Sequence, residues 1–499
     1  MMVVKGKFGD FAPKGKFADF ASKGKMLKAR STAVRFPAPS DRAARSFDLS
    51  KAYVVRSLNC TTNKPLHLGH LRNLGLGAAT AGTLQMLGAR VVRHCILEDT
   101  GRFMTEAMAA VRAFERSGQT RSGPAKSDHF VGSCYRRYRE NAAAVHERTK
   151  AAGGKPVAAS TGYDARNDEA DDLMRALLDG DEAALQLRAN VRSMALEGQQ
   201  ATLQRLGVWF DSCDYESDED PVLADFIAAC SERGLLRPGR KGGLGYLASG
   251  GRRVPIMNRI GLAEESARLL SFNWRLARTA AAGYTVVIMA GSEWKESMSA
   301  YAEVLNRLGV ANSGASAAHA FYGMVRLNGK KMASSTGSGI LVDDLLDRLA
   351  ADERILEYSR HSAGGERPDE LAAMVLKCFL LSFARTDPID FTFDRLGSVE
   401  LNAGWAIAAA WTRLTRNGAP SAAPTSRSAR RICAAALSRL SFERAVARAR
   451  TLAERIRAGH ASAADENDFR AIVAALGLVP RRTEFVFDRA GPLRDVRVG

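Results

Sequence analysis

The sequence predicts an α/β protein: a doubly wound parallel sheet of the nucleotide-binding kind with a C-terminal helical domain. Three observations carry this. AYVVRSLN from Ala52 reads as a short buried strand, Leu71 to Gly88 as a helix rich in Leu, Ala and Gly, and ARVVRHCILED as a second strand, which together make a β-α-β unit. YTVVIMAGSE (284–293) is another buried strand, ending in glycine and an acid. Near the C-terminus, LSFERAVARARTLAERIRA has the Ala/Leu/Arg pattern of a small helical bundle.

The elements follow in order. Residues 1–50 are a basic arm in which KGKFGDFAP, KGKFADFAS and KGKM repeat every nine residues (Lys5, Lys14, Lys23), with Phe8, Phe11, Phe17 and Phe20 interleaved. Such an arm can track RNA. A disordered tail, or a start site assigned too far upstream, is the plainer reading and the preferred one. Residues 51–350 form the nucleotide-binding unit, interrupted by an insertion at about 111–200 that is polar, Gly-patched and then helical. Residues 351–416 form a helical connection, 417–428 a Pro/Ser/Ala-rich linker, and 429–499 a short helical domain.

With 499 residues the chain has room for two or three domains. No run of 18 apolar residues is free of charge, so no membrane span is expected. The N-terminus has no apolar leader segment, which argues against secretion. Seven cysteines stand singly with no CxxC pair, so neither a structural zinc nor any other metal site is expected, and reduced thiols in a cytoplasm are. The net charge of +18 favours a polyanionic partner such as nucleic acid, although an Arg-rich composition alone would also produce it.

Two motifs carry chemistry. NKPLHLGH (63–70) lies between a strand and a helix, where open α/β sheets bind ligands. His67 and His70 at a helix N-terminus suit an α-phosphate, and Gly69 lets a ribose or base approach the backbone. Alone, this motif is equally two histidines capping a helix. NGKKMASSTGSG (328–339) follows a strand and precedes a helix, and Lys330 and Lys331 can clamp a triphosphate. Alone, it is equally a basic surface loop.

Together, about 260 residues apart, the two resemble the paired signatures of class I aminoacyl-tRNA synthetases. HLGH looks like HIGH and KMASS like the KMSKS loop. SLNCTTNKPLHLGHLRN, ATLQRLGVWFDSCDYESD (201–218), YGMVRLNGKKMASSTGSGILVDDLLD (322–347) and PIDFTFDRL (388–396) resemble arginyl-tRNA synthetases, over roughly Tyr53 to Trp411. Where KMSKS has its second lysine this chain has Ser335. As in many of that family, a lysine stands just before HxGH, here Lys64, and one ammonium can replace the other.

The resemblance implies an ATP-dependent activation of an amino acid and its transfer to tRNA, with Mg²⁺ accompanying ATP. Lys64, His67, His70, Lys330 and Lys331 would be catalytic. Gly69, Gly291, Glu293, Met324, Val325, Met332, Ser334 and Ser335 would hold ATP. Ser57, Asn59, Asp99, Ser271 and Arg275 would meet the amino acid, with Arg72 and Asn73 weaker candidates. A monomer is expected. Two departures bear on specificity. SFNWRLA (271–277) aligns with the YxTRDxA-like stretch whose Tyr and Asp hold the guanidinium, which puts Ser271 and Arg275 in their places. An Arg there would repel arginine. EDTGRF (98–103) stands for a GDWG-type segment, leaving Glu98 and Asp99 to reach an ammonium. A third departure is the shortness of the regions that would read tRNA. The alternatives are therefore a repurposed synthetase serving a non-tRNA acceptor, and a non-catalytic RNA-binding relative.

Overall fold

A computed structural model describes residues 47–119, 126–151, 168–239, 242–258, 263–279, 284–309, 316–331, 339–362, 367–416 and 426–479. The nine-residue repeat, most of the predicted linker, and Met332, Ser334 and Ser335 lie outside them.

The apolar run from Ala52 forms strand β1 (Ala52–Thr61), followed by helix α1 (Leu68–Leu87) and β2 (Arg90–Glu98). Four helices come next: α2 (Arg102–Arg116), α3 (Ser127–Ala151), α4 (Asp168–Asp179) and α5 (Glu182–Leu206). They share a core of their own around Met108, Val131, Tyr135, Leu173 and Val191. The chain returns through β3 (Ser212–Tyr215) and α6 (Asp220–Glu232) to a small antiparallel sheet, β4 (Arg237–Pro238), β5 (Leu244–Leu247) and β6 (Arg253–Met257). Helix α7 (Glu265–Thr279), β7 (Tyr284–Gly291), α8 (Lys295–Arg307) and β8 (Ser316–Tyr322) complete the main unit.

The main sheet has the order β3-β2-β1-β7-β8, and every pair in it is parallel. Strands are added outward from β1 on one side and then on the other. The crevice at the carboxyl ends of β1 and β7 is thus the switch point where such sheets bind ligands. The predicted doubly wound sheet is what forms.

Alternation along β1 breaks once. Register slips between Arg56 and Leu58, so Ser57 is an extra, bulged residue. Before it, Tyr53 and Val55 pack on the face that α1 covers, while Ala52 and Val54 pack on the face that Phe272 of α7 covers. After it, Leu58 and Cys60 face the core with α1, and Asn59 and Thr61 are turned to the other face.

Helix α1 is buried nearly all round, because the sheet lies on one side and C-terminal helices on the other. Its interior glycines let it approach both. A Cβ on Gly77 would overlap that of Ser57, and one on Gly82 would sit 2.5 Å from the Ala475 carbonyl oxygen. Each glycine costs about 1 kcal/mol of helix propensity relative to alanine, which is less than the clash would. The helix stops at Gly88 in the left-handed region, φ +104°.

Past β8 the chain forms β9 (Val325–Leu327) and β10 (Lys330–Lys331), a hairpin joined in parallel by β11 (Ile389–Phe391). Helices α9 (Val342–Ala350), α10 (Glu353–Arg360) and α11 (Pro368–Leu381) precede β11, and α12 (Phe393–Gly397) and α13 (Gly404–Thr415) follow it. Within the last residues of the predicted linker Ser426 caps α14 (Arg427–Leu437), so the helix starts two residues before the expected domain boundary, and α15 (Glu443–Ala458) and α16 (Ala463–Ala475) complete the bundle. One continuous apolar core runs from β1 through α1 and α11 to Phe469 and Ile472 of α16.

Candidate active site

Strand β1 leads into the NKPLHLGH turn, and the N-terminus of α1 opens onto a cleft of about 420 Å³ at the switch point. Lys64, His67, Gly69, His70, Asn59, Gly291 and Glu293 all line it. The two imidazoles stack with centroids 3.9 Å apart. The Gly69 N–H donates to His67 Nδ1 at 3.2 Å, and the His67 N–H donates to His70 Nδ1 at 3.2 Å. Each ring is capping the helix while its Nδ1 accepts, which fixes the neutral tautomer with the proton on Nε2. Burial, together with the Lys64 charge, pushes His67 down to about 4 and His70 well below the usual imidazole range. Both are thus neutral donors at pH 7, beside an ammonium and the positive end of a helix. A side chain on Gly69 would press on the His67 ring, its Cβ 3.0 Å from Cε1. Burial also lowers the Lys64 ammonium, and Glu98 nearby opposes the shift.

The second wall is acidic. Glu98 at the end of β2, Glu216 just after β3, and Glu265 in the first turn of α7 all reach the cleft, with Arg268 among them. Burial, reinforced by Glu265, pushes Glu98 up to about 8. Burial raises Glu216 well above the carboxylate range and raises Glu265, with Arg268 opposing in both cases. Three buried carboxyls share the charge of Arg268, with Lys64 acting on Glu98, and a bound cation would add counter-charge that favours their ionised forms. Tyr322 and Phe272 complete the lining.

Several expected contacts are elsewhere. Ser57 is the bulge residue packed on Gly77, behind the sheet. Asp99 is fully buried and engaged: Arg192 donates to it at 2.8 Å, the Ser217 N–H at 2.9 Å and Ser217 Oγ at 2.7 Å. It ties the ends of β2 and β3 to α5, while its neighbour Glu98 faces the cleft. Ser271 is buried within α7, and Arg275 pairs with Asp214 at 3.6 Å, off the cleft. Residues 265, 268, 269 and 272 are the cleft-facing stripe of α7, so the pocket segment begins six residues earlier than the alignment placed it. Asp214 also accepts from His94 Nε2 at 2.8 Å, since Arg56 donates to His94 Nδ1 at 3.2 Å and leaves the ring proton on Nε2. Arg275 thus belongs to a buried network between sheet and α7.

Met324 and Val325 do not line the cleft either; the Met324 carbonyl accepts from the Ile389 N–H at 3.0 Å, and Val325 is buried in β9. Lys330 is exposed on β10 and Lys331 follows it. Asn73 lines the cleft, whereas Arg72 is buried and donates to the carbonyls of Leu380, Ala384, Arg385 and Asp387 at 2.8–3.3 Å. Glu216 and Glu265 escaped the sequence reading, although each stands at a strand end or helix start. Their separation from Glu98 left no local pattern to mark them.

Residues 46–373 match the family described as tRNA synthetases class I (R), catalytic domain. The arginine–tRNA ligase of Borrelia hermsii is 24% identical over 346 residues, 65% of this chain and 53% of that protein. The arginine–tRNA ligase of Porphyromonas gingivalis is 28% identical over 365 residues, 71% of this chain and 60% of that protein. The chain thus spans a little over half of the length of these curated relatives. In fold it is similar to Thermus thermophilus arginyl-tRNA synthetase, with a TM-score of 0.55 at 20% identity, covering 91% of this chain and 84% of the other. No helix among the described residues is long and apolar enough to cross a membrane. With its paired histidines at the switch point of a parallel sheet and the family match over most of its length, this chain belongs to the class I tRNA synthetases (R), catalytic domain family.

Proposed function

We propose that the chain condenses ATP with arginine to arginyl-adenylate and passes the arginyl group to the 3′-terminal ribose of a tRNA. The observation that carries this is the polarity of the cleft. Two neutral imidazoles, a lysine and a helix N-terminus face it from one side, and three carboxyl groups against one guanidinium face it from the other. A polyanion and a cationic amino acid fit that pair of walls. Arg275, the reason to doubt arginine, is engaged with Asp214 and raises no objection.

In this reading a carboxylate oxygen of arginine attacks the α-phosphorus, the new P–O bond forms, and the bond to pyrophosphate breaks. His67 and His70 donate Nε2–H to the α-phosphate oxygens as charge builds there. Lys64 takes charge on the leaving pyrophosphate, aided by Lys330 and Lys331. Gly69, Gly291 and Glu293 accept the adenosine, with Met332, Ser334 and Ser335 as the remaining loop candidates. Asn59 and the acids Glu98, Glu216 and Glu265 take the ammonium and guanidinium. A ribose hydroxyl of tRNA then attacks the acyl carbon, and AMP leaves. Mg²⁺ would arrive with the triphosphate as part of the substrate. Asp128, His129 and Asp343 have the spacing of metal ligands, but the Lys126 ammonium lies 2.6 Å from Asp343 and 3.5 Å from Asp128, so the cluster does not fit a divalent ion.

The test is ATP–pyrophosphate exchange across the twenty amino acids, with and without tRNA, because arginyl-tRNA synthetases typically activate arginine only with tRNA bound. Exchange with arginine in the presence of tRNA is expected. Exchange with a different amino acid, or with none, would remove this function.

A further inference from the structure

Asp343, in the first turn of α9, is buried, and its partners at the start of α3, Lys126 and His129, lie 217 and 214 residues before it in sequence. Its Oδ2 accepts from Lys126 Nζ at 2.6 Å, from His129 Nε2 at 3.1 Å and from Thr202 Oγ1 at 3.0 Å. Its Oδ1 accepts from Arg205 at 2.9 Å. Lys126 and His129 stand at the N-terminal end of α3, and Thr202 and Arg205 in the last turns of α5. These donors hold the carboxyl well below its usual range against the burial that would raise it, and Asp343 in turn raises His129.

The segment just before Asp343 is tied to the histidine turn. Leu341 bridges antiparallel to His67, the Leu68 N–H donates to the Ile340 carbonyl at 2.9 Å, and the Val342 N–H donates to the Leu66 carbonyl at 3.0 Å. The same two helices grip Lys64. Gln199 Nε2 on α5 donates to the Lys64 carbonyl at 2.8 Å and to that of Thr61 at 3.0 Å. Gly132 on α3 lies so close that a Cβ there would sit 2.6 Å from Pro65 Cδ and 3.4 Å from Lys64 Cα. The β1–α1 connection is therefore held from both sides by parts that meet at one carboxylate.

We propose that Asp343 is a positioning residue: it locks α3 and α5 to the start of α9 and so fixes His67 and Lys64 where the triphosphate binds. This rests on the ATP-binding reading above. A charged acceptor with four donors is a fixed point, because neutralising it removes the one carboxylate that Lys126, His129 and Arg205 share, leaving only Asp128 beside Lys126 and Asp347 and Asp369 beside Arg205.

The test measures binding of α,β-methylene-ATP and of adenosine to the full chain, alongside thermal melting. Asp343→Asn should weaken the analogue about tenfold, the worth of one charge-assisted hydrogen bond, and leave adenosine unchanged. Thr202→Val, which keeps every charge and the side-chain shape, should show a smaller loss in the same direction. Because Asp343 acts in part through His67, the double variant Asp343→Asn/His67→Asn should lose less affinity for the analogue than the sum of the two single losses. An unchanged analogue-to-adenosine ratio in both single variants, with melting lowered, would make Asp343 a fold residue only and overturn the proposal while leaving the ATP reading intact. Additive losses in the double variant would also overturn it. A wild-type chain that binds neither ligand would remove the ATP reading, and this proposal with it.

Discussion

Replacing Glu98 by glutamine tests the acidic wall directly. Burial and the neighbouring Glu265 push Glu98 up to about 8, so with no cation beside it the group carries its proton at pH 7. A cationic substrate binds its ionised form. At pH 7 about one-tenth of the carboxyl is ionised and at pH 9 about nine-tenths, so affinity for arginine should rise roughly tenfold over that interval. The sign for stability is opposite. A folded-state value above the unfolded one means the fold binds the extra proton, so this group's stabilisation is present below about 4.5 and is lost as pH rises through about 8. Arginine affinity and stability should therefore move in opposite directions with pH. The assay is the arginine KM in tRNA-supplemented pyrophosphate exchange between pH 6.5 and 9, with calorimetry in two buffers to count the proton released. Glu98→Gln should lower the slope of the profile and the proton release, leaving the share that the raised Glu216 contributes. A wild-type KM independent of pH, or a variant that keeps the slope, would refute the assignment of Glu98 to the substrate cation.

Three further outcomes are expected. His67→Ala and His70→Ala should each lower exchange by about 10²-fold or more, as the loss of a preorganised donor to developing charge does, and an effect below about threefold would take the imidazoles out of the chemistry. Gly77→Ala should destabilise the fold by about 1–3 kcal/mol in denaturant titration, because its Cβ overlaps Ser57; a neutral result would mean α1 can step back from the sheet. Arg275→Leu should leave the arginine KM within about twofold while lowering the melting temperature, since it strips the buried Asp214 of a partner; a changed amino-acid preference would return Arg275 to the pocket.

Much of the site was legible because it is local. Strand, histidine turn and helix lie within 37 residues of sequence from Ala52 to Gly88, and each has its own signal: an apolar run, paired histidines at a helix start, and a glycine stop. The errors sit where one residue decides a face. Ser57 and Asn59 are two apart and should share a side of β1, but the bulge between Arg56 and Leu58 turns only Asn59 to the cleft. Glu98 and Asp99 are adjacent at a strand end, and the choice between them depends on Arg192 and Ser217, more than 90 residues on. Arg275 misled for a related reason. The helical stripe through 265, 268, 269 and 272 is visible once the helix start is known, and the weakly matched GRRVPIMNRIGLAEESARLL concealed that start. The acids Glu216 and Glu265 come together only through the order β3-β2-β1-β7, which no local pattern encodes.

The close approach of Gly82 to Ala475 has a consequence for how the chain can be divided. Helix α1 carries the histidines at one end and, along its flank, the seat of α16, where Thr83 also donates to the Ala475 carbonyl and Lys377 Nζ to that of Gly477. The linker before Ser426 looks like the natural place to cut a catalytic piece from an accessory one. A chain ending at Arg416 would bring the flank of its most central helix into water, with glycine and alanine where the partner helix sat. The two sides of the linker share one apolar core, and each has the other's backbone contacts as part of its own interior.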